Sequence, residues 1–250
     1  MKKAFFVAAA IGLLVFQAMA QGNADRGQGM VRKGQREYAR GKGSAAGGGF
    51  NGGMTALISS LPHEELSEAE MKGLMHMREE EKLARDVYLT LYQEWDHQIF
   101  QNIALSEQRH MDAVKSLLDK YNLIDPVIDD TVGVFTEMEM QNLYYELVNK
   151  GRISLVQALH VGATIEDLDI FDLREFIQDA DNVDIKTVYQ NLMKGSRNHL
   201  RAFVSQLLAY DEVYVAAYLT QEEIDEIVYS PMERGLYDQD GNPLYPGIGW

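Results

Sequence analysis

Between Ser67 and Asp211 apolar residues recur at alternating steps of three and four, the period of helices buried along one face. The pattern predicts four long helices. The first is capped at Ser67 and runs to about Trp95, and the second covers Gln98 to Tyr121. The third runs from Ser154 to about Gln178, and the fourth from near Asp184 to about Tyr210. A shorter helix is expected from Thr136 to Asn149, stopped at Gly151. Ser67-Glu68-Ala69-Glu70 has capping-box spacing, in which the two outer side chains each satisfy a backbone amide of the first turn. The chain is therefore expected to be all-α, a helical bundle with an extra short helix. After Asp211 comes a small C-terminal extension (212–250). It has a capped helix starting at Thr220 and a hairpin turn at Asp240-Gly241, between Leu236-Tyr237 and Leu244-Tyr245.

Each long helix has an apolar stripe interrupted near its middle. In the first, Glu81 stands between Met77 and Ala84, with Tyr88 and Leu91 continuing the line. In the second, Glu107 and His110 interrupt Ile103 and Val114. In the third, Glu166 and Asp169 stand between Leu159 and Leu173, and in the fourth, Ser196 and His199 separate Leu192 from Phe203. Residues three apart on a helix point the same way, so each pair faces the core together. The neighbours Glu79 and Glu80 fall off the stripe and are expected in solvent.

An isolated ionised carboxylate is strongly unfavourable in a low-dielectric interior, so such groups are paired, protonated or metal-bound. Glu81, Glu107, Glu166 and Asp169 offer four negative charges, which two divalent cations would neutralise. Carboxylate and imidazole from His110 and His199 suit iron or manganese. A metal-free Glu-Arg or Glu-His network is the alternative, with Arg85, Arg109 or Arg197 as candidate partners. Tyr88, on the face of Glu81, is placed to hydrogen-bond a ligand or relay an electron. A core tyrosine with a satisfied hydroxyl is the plainer reading.

Charge and the N-terminal segment add context. The formal net charge is -15, which argues against nucleic acid as a partner, because phosphate contacts need clustered Lys and Arg. Lys2-Lys3, the apolar Ala4 to Phe16 and the small-residue Ala18-Met19-Ala20 read as a secretory signal peptide (1–20). Its apolar stretch is short for a transmembrane helix, and none is expected in the mature chain. The mature protein is thus expected to be exported to the periplasm or the extracellular space. Residues 21–54 are rich in glycine and basic residues, the composition of a flexible leader ahead of the helical body at 55–211. The chain has no cysteine, which excludes disulfides, thiolate metal sites and cysteine catalysis.

The first-helix Glu81-Lys-Leu-Ala-Arg-Asp-Val-Tyr88 resembles the Glu-x-x-Ala-Arg-x-x-Tyr pattern of rubrerythrin-like proteins. Ile103-Ala-Leu-Ser-Glu107-Gln-Arg-His110 resembles their second-helix Glu-x-x-His. With Gly162-Ala-Thr-Ile-Glu166-Asp-Leu-Asp169 and Gly195-Ser-Arg-Asn-His199-Leu-Arg, the segment from about Leu66 to Asp211 resembles domain of unknown function 2202, within the ferritin-like superfamily. The resemblance implies a ferritin-like four-helix bundle with a di-iron site. In that pattern Glu81 is a terminal ligand, Glu107 a bridging ligand and His110 its partner on one iron. Glu166 is the terminal or bridging counterpart, and His199 the imidazole on the second iron. One position departs from the pattern: the fourth helix carries Ser196 where Glu is expected, with Asp169 the candidate replacement.

Three function classes follow. A di-iron (or di-manganese) oxidoreductase would react with oxygen or peroxide, or oxidise Fe(II), in the manner of a peroxidase or ferroxidase. A copper-handling protein would use Met71, Met75, His76 and Met77. A binding or structural module of the cell envelope would keep the bundle without redox chemistry. Dimerisation is compatible with all three.

Overall fold

The side chains that cap the helices fix where each element begins. In the computed structural model, which describes residues 48–244 (side chains from Gly53), Ser67 Oγ accepts the Glu70 amide while the Glu70 carboxylate accepts from Ser67 N–H. Helix α2, Glu68–Trp95, starts there. Thr220 caps α7 (Gln221–Tyr229) with the same reciprocal pair, and Ser154 caps α5 (Leu155–Asp179) by accepting the Gln157 amide alone. The other elements are α1 (Gly48–Ser60), α3 (Gln98–Lys120), α4 (Met138–Gly151) and α6 (Val183–Ala209). The expected signal peptide, residues 21–47 of the expected leader and residues 245–250 of the expected extension lie outside the described residues.

The chain is all-helical among the described residues, apart from an isolated antiparallel bridge between Tyr237 and Pro243. That bridge closes the turn expected at Asp240-Gly241. Gly241 takes φ +78°, a conformation other residues rarely adopt, and Leu244 N–H donates to Leu236 O at 2.8 Å.

Helices α2 and α3 are joined by only Asp96 and His97, and α5 and α6 by residues 180–182, so each pair folds back on itself. Packing within each pair is more extensive than between the pairs. The long connection from α3 to α5 carries α4 across the outside of α2 and α5. Two apolar clusters fill the interior. One is centred on Val87, Phe100, Leu159 and Phe203, and the other on Leu74, Leu117, Leu173 and Val188. The charged groups described below belong to neither cluster.

Two expectations need correction. The leader was expected to extend to Met54, but α1 begins at Gly48. Met54 and Ile58 are buried against α3 and α6, and Lys120 Nζ donates to the carbonyls of Ile58, Leu61 and Pro62 at the end of α1. Burial of these two side chains and capping by Lys120 outweigh the helix penalty of the glycines. Glu79 and Glu80 were expected in solvent, yet both are buried. Helix α2 is buried continuously from Met77 to Tyr88. The 121–137 connection covers the side of α2 that carries Glu79, with Arg78 paired to Asp125 and Arg85 to Asp130, while Glu80 is buried towards His76 and Asp172 of α5. Lys82 Nζ donates to Thr131 O at 3.1 Å, and Asp86 accepts Gly133 N–H at 2.9 Å.

The tail packs on the bundle. Asp167 in α5 accepts the Tyr214 hydroxyl and the amides of Ala217, Tyr218 and Leu219, while Leu219 and Ile224 enter the core. Among the described residues no helix is long and apolar enough to cross a membrane.

Candidate metal centre

Helix α3 places Glu107 and His110 one turn apart, and both are buried. The two oxygens of Glu107 diverge. Oε2 lies 2.7 Å from His110 Nδ1, and Oε1 lies 2.8 Å from His199 Nδ1 of α6. Glu81 of α2 approaches His110 Nδ1 at 3.1 Å, and Glu166 of α5 approaches His199 Nδ1 at 3.4 Å. The result is two matching sets, Glu81/Glu107/His110 and Glu107/Glu166/His199. Within each set the donor atoms lie within 4.8 Å of one another. The imidazoles stack with centroids 5.5 Å apart and an interplanar angle of 28°. Five of the six expected residues are thereby brought together from four helices.

Asp169 belongs to neither set. Ser196 Oγ donates to Asp169 Oδ2, so the serine standing where Glu was expected fixes a neighbouring carboxylate rather than supplying a ligand. The Glu-His pairs of the metal-free alternative are present, whereas Arg85 and Arg197 turn to other partners. Arg85 engages Asp86, Asp130 and Gln108, and Arg197 engages Glu233. Of the residues considered for copper, Met77 is fully buried in apolar packing, and His76 Nε2 faces the carboxylates of Glu80 and Asp172.

The donor atoms are close but poorly satisfied. Glu81 Oε1 and Asp169 Oδ1 are buried without a hydrogen-bond partner, while Glu107 Oε1 and His199 Nδ1 meet each other as an ion pair at 2.8 Å. Each such group costs about 1–3 kcal/mol when left unmet. Ligands about 2.1 Å from one ion and at right angles lie about 3.0 Å apart. The spacings of 2.7, 2.8, 3.1 and 3.4 Å bracket that value. The donors fit two divalent ions that share Glu107.

Electrostatics fit the same reading. Burial pushes the carboxyls of Glu81, Glu166 and Asp169 upward, and neighbouring carboxylates add to it. Burial acts on Glu107 too, but the charges of His199 and His110 prevail and hold it well below the usual range. The histidines are raised in turn, against burial, by their carboxylate neighbours. Without metal, protons on the imidazoles balance the acids, and cations would displace them.

Second-rank contacts set the donors. The Tyr88 hydroxyl donates to Glu166 Oε1 at 2.6 Å, as expected of a tyrosine on the Glu81 face. Gly195 was not anticipated. A Cβ there would meet His110 Nε2 at 2.4 Å, so the bare backbone of α6 makes room for the ring. The only sequence trace of this is a glycine inside a helix four residues before His199. His76 and Asp172 were also missed as a constellation with Glu80. The i, i+4 spacing of His76 and Glu80, and Asp172 one turn beyond Asp169, were available signals.

Residues 70–231 match the family described as "Uncharacterized protein domain (DUF2202)". The chain belongs to the DUF2202 family. The match continues past Asp211 through α7, so the first part of the C-terminal extension is included in the DUF2202 region. The chain is also similar to the uncharacterized protein MJ0754 of Methanocaldococcus jannaschii, 60% identical over 183 residues, 73% of this chain and 99% of that protein. The crystal structure of hypothetical protein MJ0754 from Methanococcus jannaschii matches with a TM-score of 0.69 and 60% identity, covering 70% of this chain and 99% of that one.

Proposed function

We propose that this DUF2202 protein is a ferritin-like four-helix bundle that holds two divalent ions, iron or manganese, in its core. Glu81, Glu107 and His110 would hold one ion, and Glu107, Glu166 and His199 the other. The carrying observation is the divergence of the two Glu107 oxygens onto two imidazole nitrogens, each backed by a further carboxylate. The pairing of α2 with α3 and α5 with α6, joined by one long connection, supports the ferritin-like arrangement. The ligand types favour iron or manganese over softer metals.

Bound iron in its reduced state would supply electrons to oxygen or peroxide, the oxidoreductase reading. The residues of the chain do the rest. Burial of all five donors excludes bulk water. Tyr88 orients Glu166 through its hydroxyl, and Ser196 holds Asp169 beside the site. His110 and His199 release protons as cations arrive, which keeps the core near neutrality. A second reading is a metal-binding module without redox turnover. It is favoured by Ser196, which leaves the two ions a single shared carboxylate instead of two. The proposal includes export, on the strength of the sequence from Lys2 to Ala20.

Metal analysis of the mature protein, purified without chelator and supplied with Fe(II) or Mn(II), tests the centre. About two ions per chain are expected in the inner site, lost in a Glu107→Gln, His110→Gln double variant. Unchanged metal content in that variant would remove the core site from consideration. Anaerobic Fe(II) loading followed by oxygen or peroxide separates the two readings. An absorption change that depends on oxidant supports the oxidoreductase, and none supports the passive module.

A further inference from the structure

A second gathering of donors lies outside the centre just described. His76 and Glu80 are four apart on α2 and share a face, and Asp172 reaches them from α5. Glu80 and Asp172 are buried, at 4% and 5% exposure, while the His76 side chain is 34% exposed and opens the group to solvent. His76 Nε2 lies 3.4 Å from Glu80 Oε2 and 3.8 Å from Asp172 Oδ2, longer than the 2.7–3.2 Å of ordinary N–H···O bonds. Glu80 Oε2 is buried and receives no hydrogen bond.

An ion pair alone does not account for this arrangement. One imidazolium against two ionised carboxylates leaves a net negative charge in a buried place, and at 3.4 Å His76 Nε2 is too far to be a good donor to Glu80 Oε2. A divalent cation with a neutral imidazole balances both carboxylates and satisfies that oxygen. We propose that His76, Glu80 and Asp172 form a third site for a divalent transition-metal cation, exchanging with solvent past His76.

The site is adjacent to the inner centre but built from different residues. On α2, the consecutive Glu80 and Glu81 belong to different sets. On α5, Asp172 lies one turn beyond Asp169. It therefore stands or falls independently of the ions assigned to the core.

The test is a titration of the metal-free full chain with Mn(II), read as free Mn(II) by electron paramagnetic resonance. Three ions per chain are expected for the native protein. Two are expected for His76→Gln and for Asp172→Asn separately, and one for the Glu107→Gln, His110→Gln variant. Far-UV circular dichroism and melting of each metal-free variant establish that it is folded, and having two separate single variants guards against misfolding of one. Loss of one ion in His76→Gln or Asp172→Asn supports the outer site, even if Glu107→Gln, His110→Gln loses none and the inner reading fails. Unchanged stoichiometry in folded His76→Gln and Asp172→Asn overturns the outer site, whatever happens at Glu107.

Discussion

At the scale of single residues, the candidate centre depends on where backbone as well as side chains are placed. Glu81, Glu107, His110, Glu166 and His199 were legible because each interrupts an apolar stripe, and buried charge needs compensation. Gly195 was not legible, because its role exists only once α6 lies against His110. Gly195→Ala gains up to about 1 kcal/mol in helix propensity. Against that, a contact of 2.4 Å with His110 Nε2 forces the ring away from Glu81 and Glu107, at about 1–3 kcal/mol. The clash is expected to prevail, with metal affinity falling about 10- to 100-fold. Isothermal titration of the variant with Mn(II) measures this, and native affinity would show that the ring has room to spare.

At the scale of elements, the starts of α2, α5 and α7 were readable because their caps are local, set by side chains within three residues. The burial of Glu79 and Glu80 was not. A single apolar stripe implies one dry face and one wet face, but α2 is also covered beside Glu79 by a polar connection and beside Glu80 by Asp172 of α5, both remote in sequence. Glu70 shows how a local cap acquires a tertiary role. It completes the Ser67 capping box and also accepts the amides of Asp181 and Asn182 at the start of α6. Burial would raise its pKa, but the amides of Asn182 and Ser67 win, and it lies below its ordinary 4.5. A carboxyl depressed in the folded state adds stability above its unfolded pKa, and that stability is lost as pH falls through the folded value. Glu70→Gln is therefore expected to cost about 1–2 kcal/mol at neutral pH. It is also expected to flatten the loss of stability below about pH 4.5. Urea melts across pH 3 to 7 measure both, and parallel curves for the two proteins would contradict the assignment.

For the whole molecule, the helix order and the inward-facing charged side chains were legible in the sequence, while the way the two helix pairs meet needed coordinates. Each pair packs more extensively on itself than on its partner pair, and Glu107 of one pair reaches His199 of the other. Ions held by that carboxylate would act as a clasp between two halves that otherwise breathe. The absence of cysteine makes this measurable, because spin labels can be attached at single introduced thiols. L105C on α3 and L208C on α6 replace exposed leucines, one in each half. The distance distribution between the labels is expected to narrow when diamagnetic Zn(II) fills the core and to broaden under chelator. Equal widths in both states would mean that the halves are locked by packing alone. If the clasp holds, metal supply sets the stiffness of the molecule as well as its chemistry.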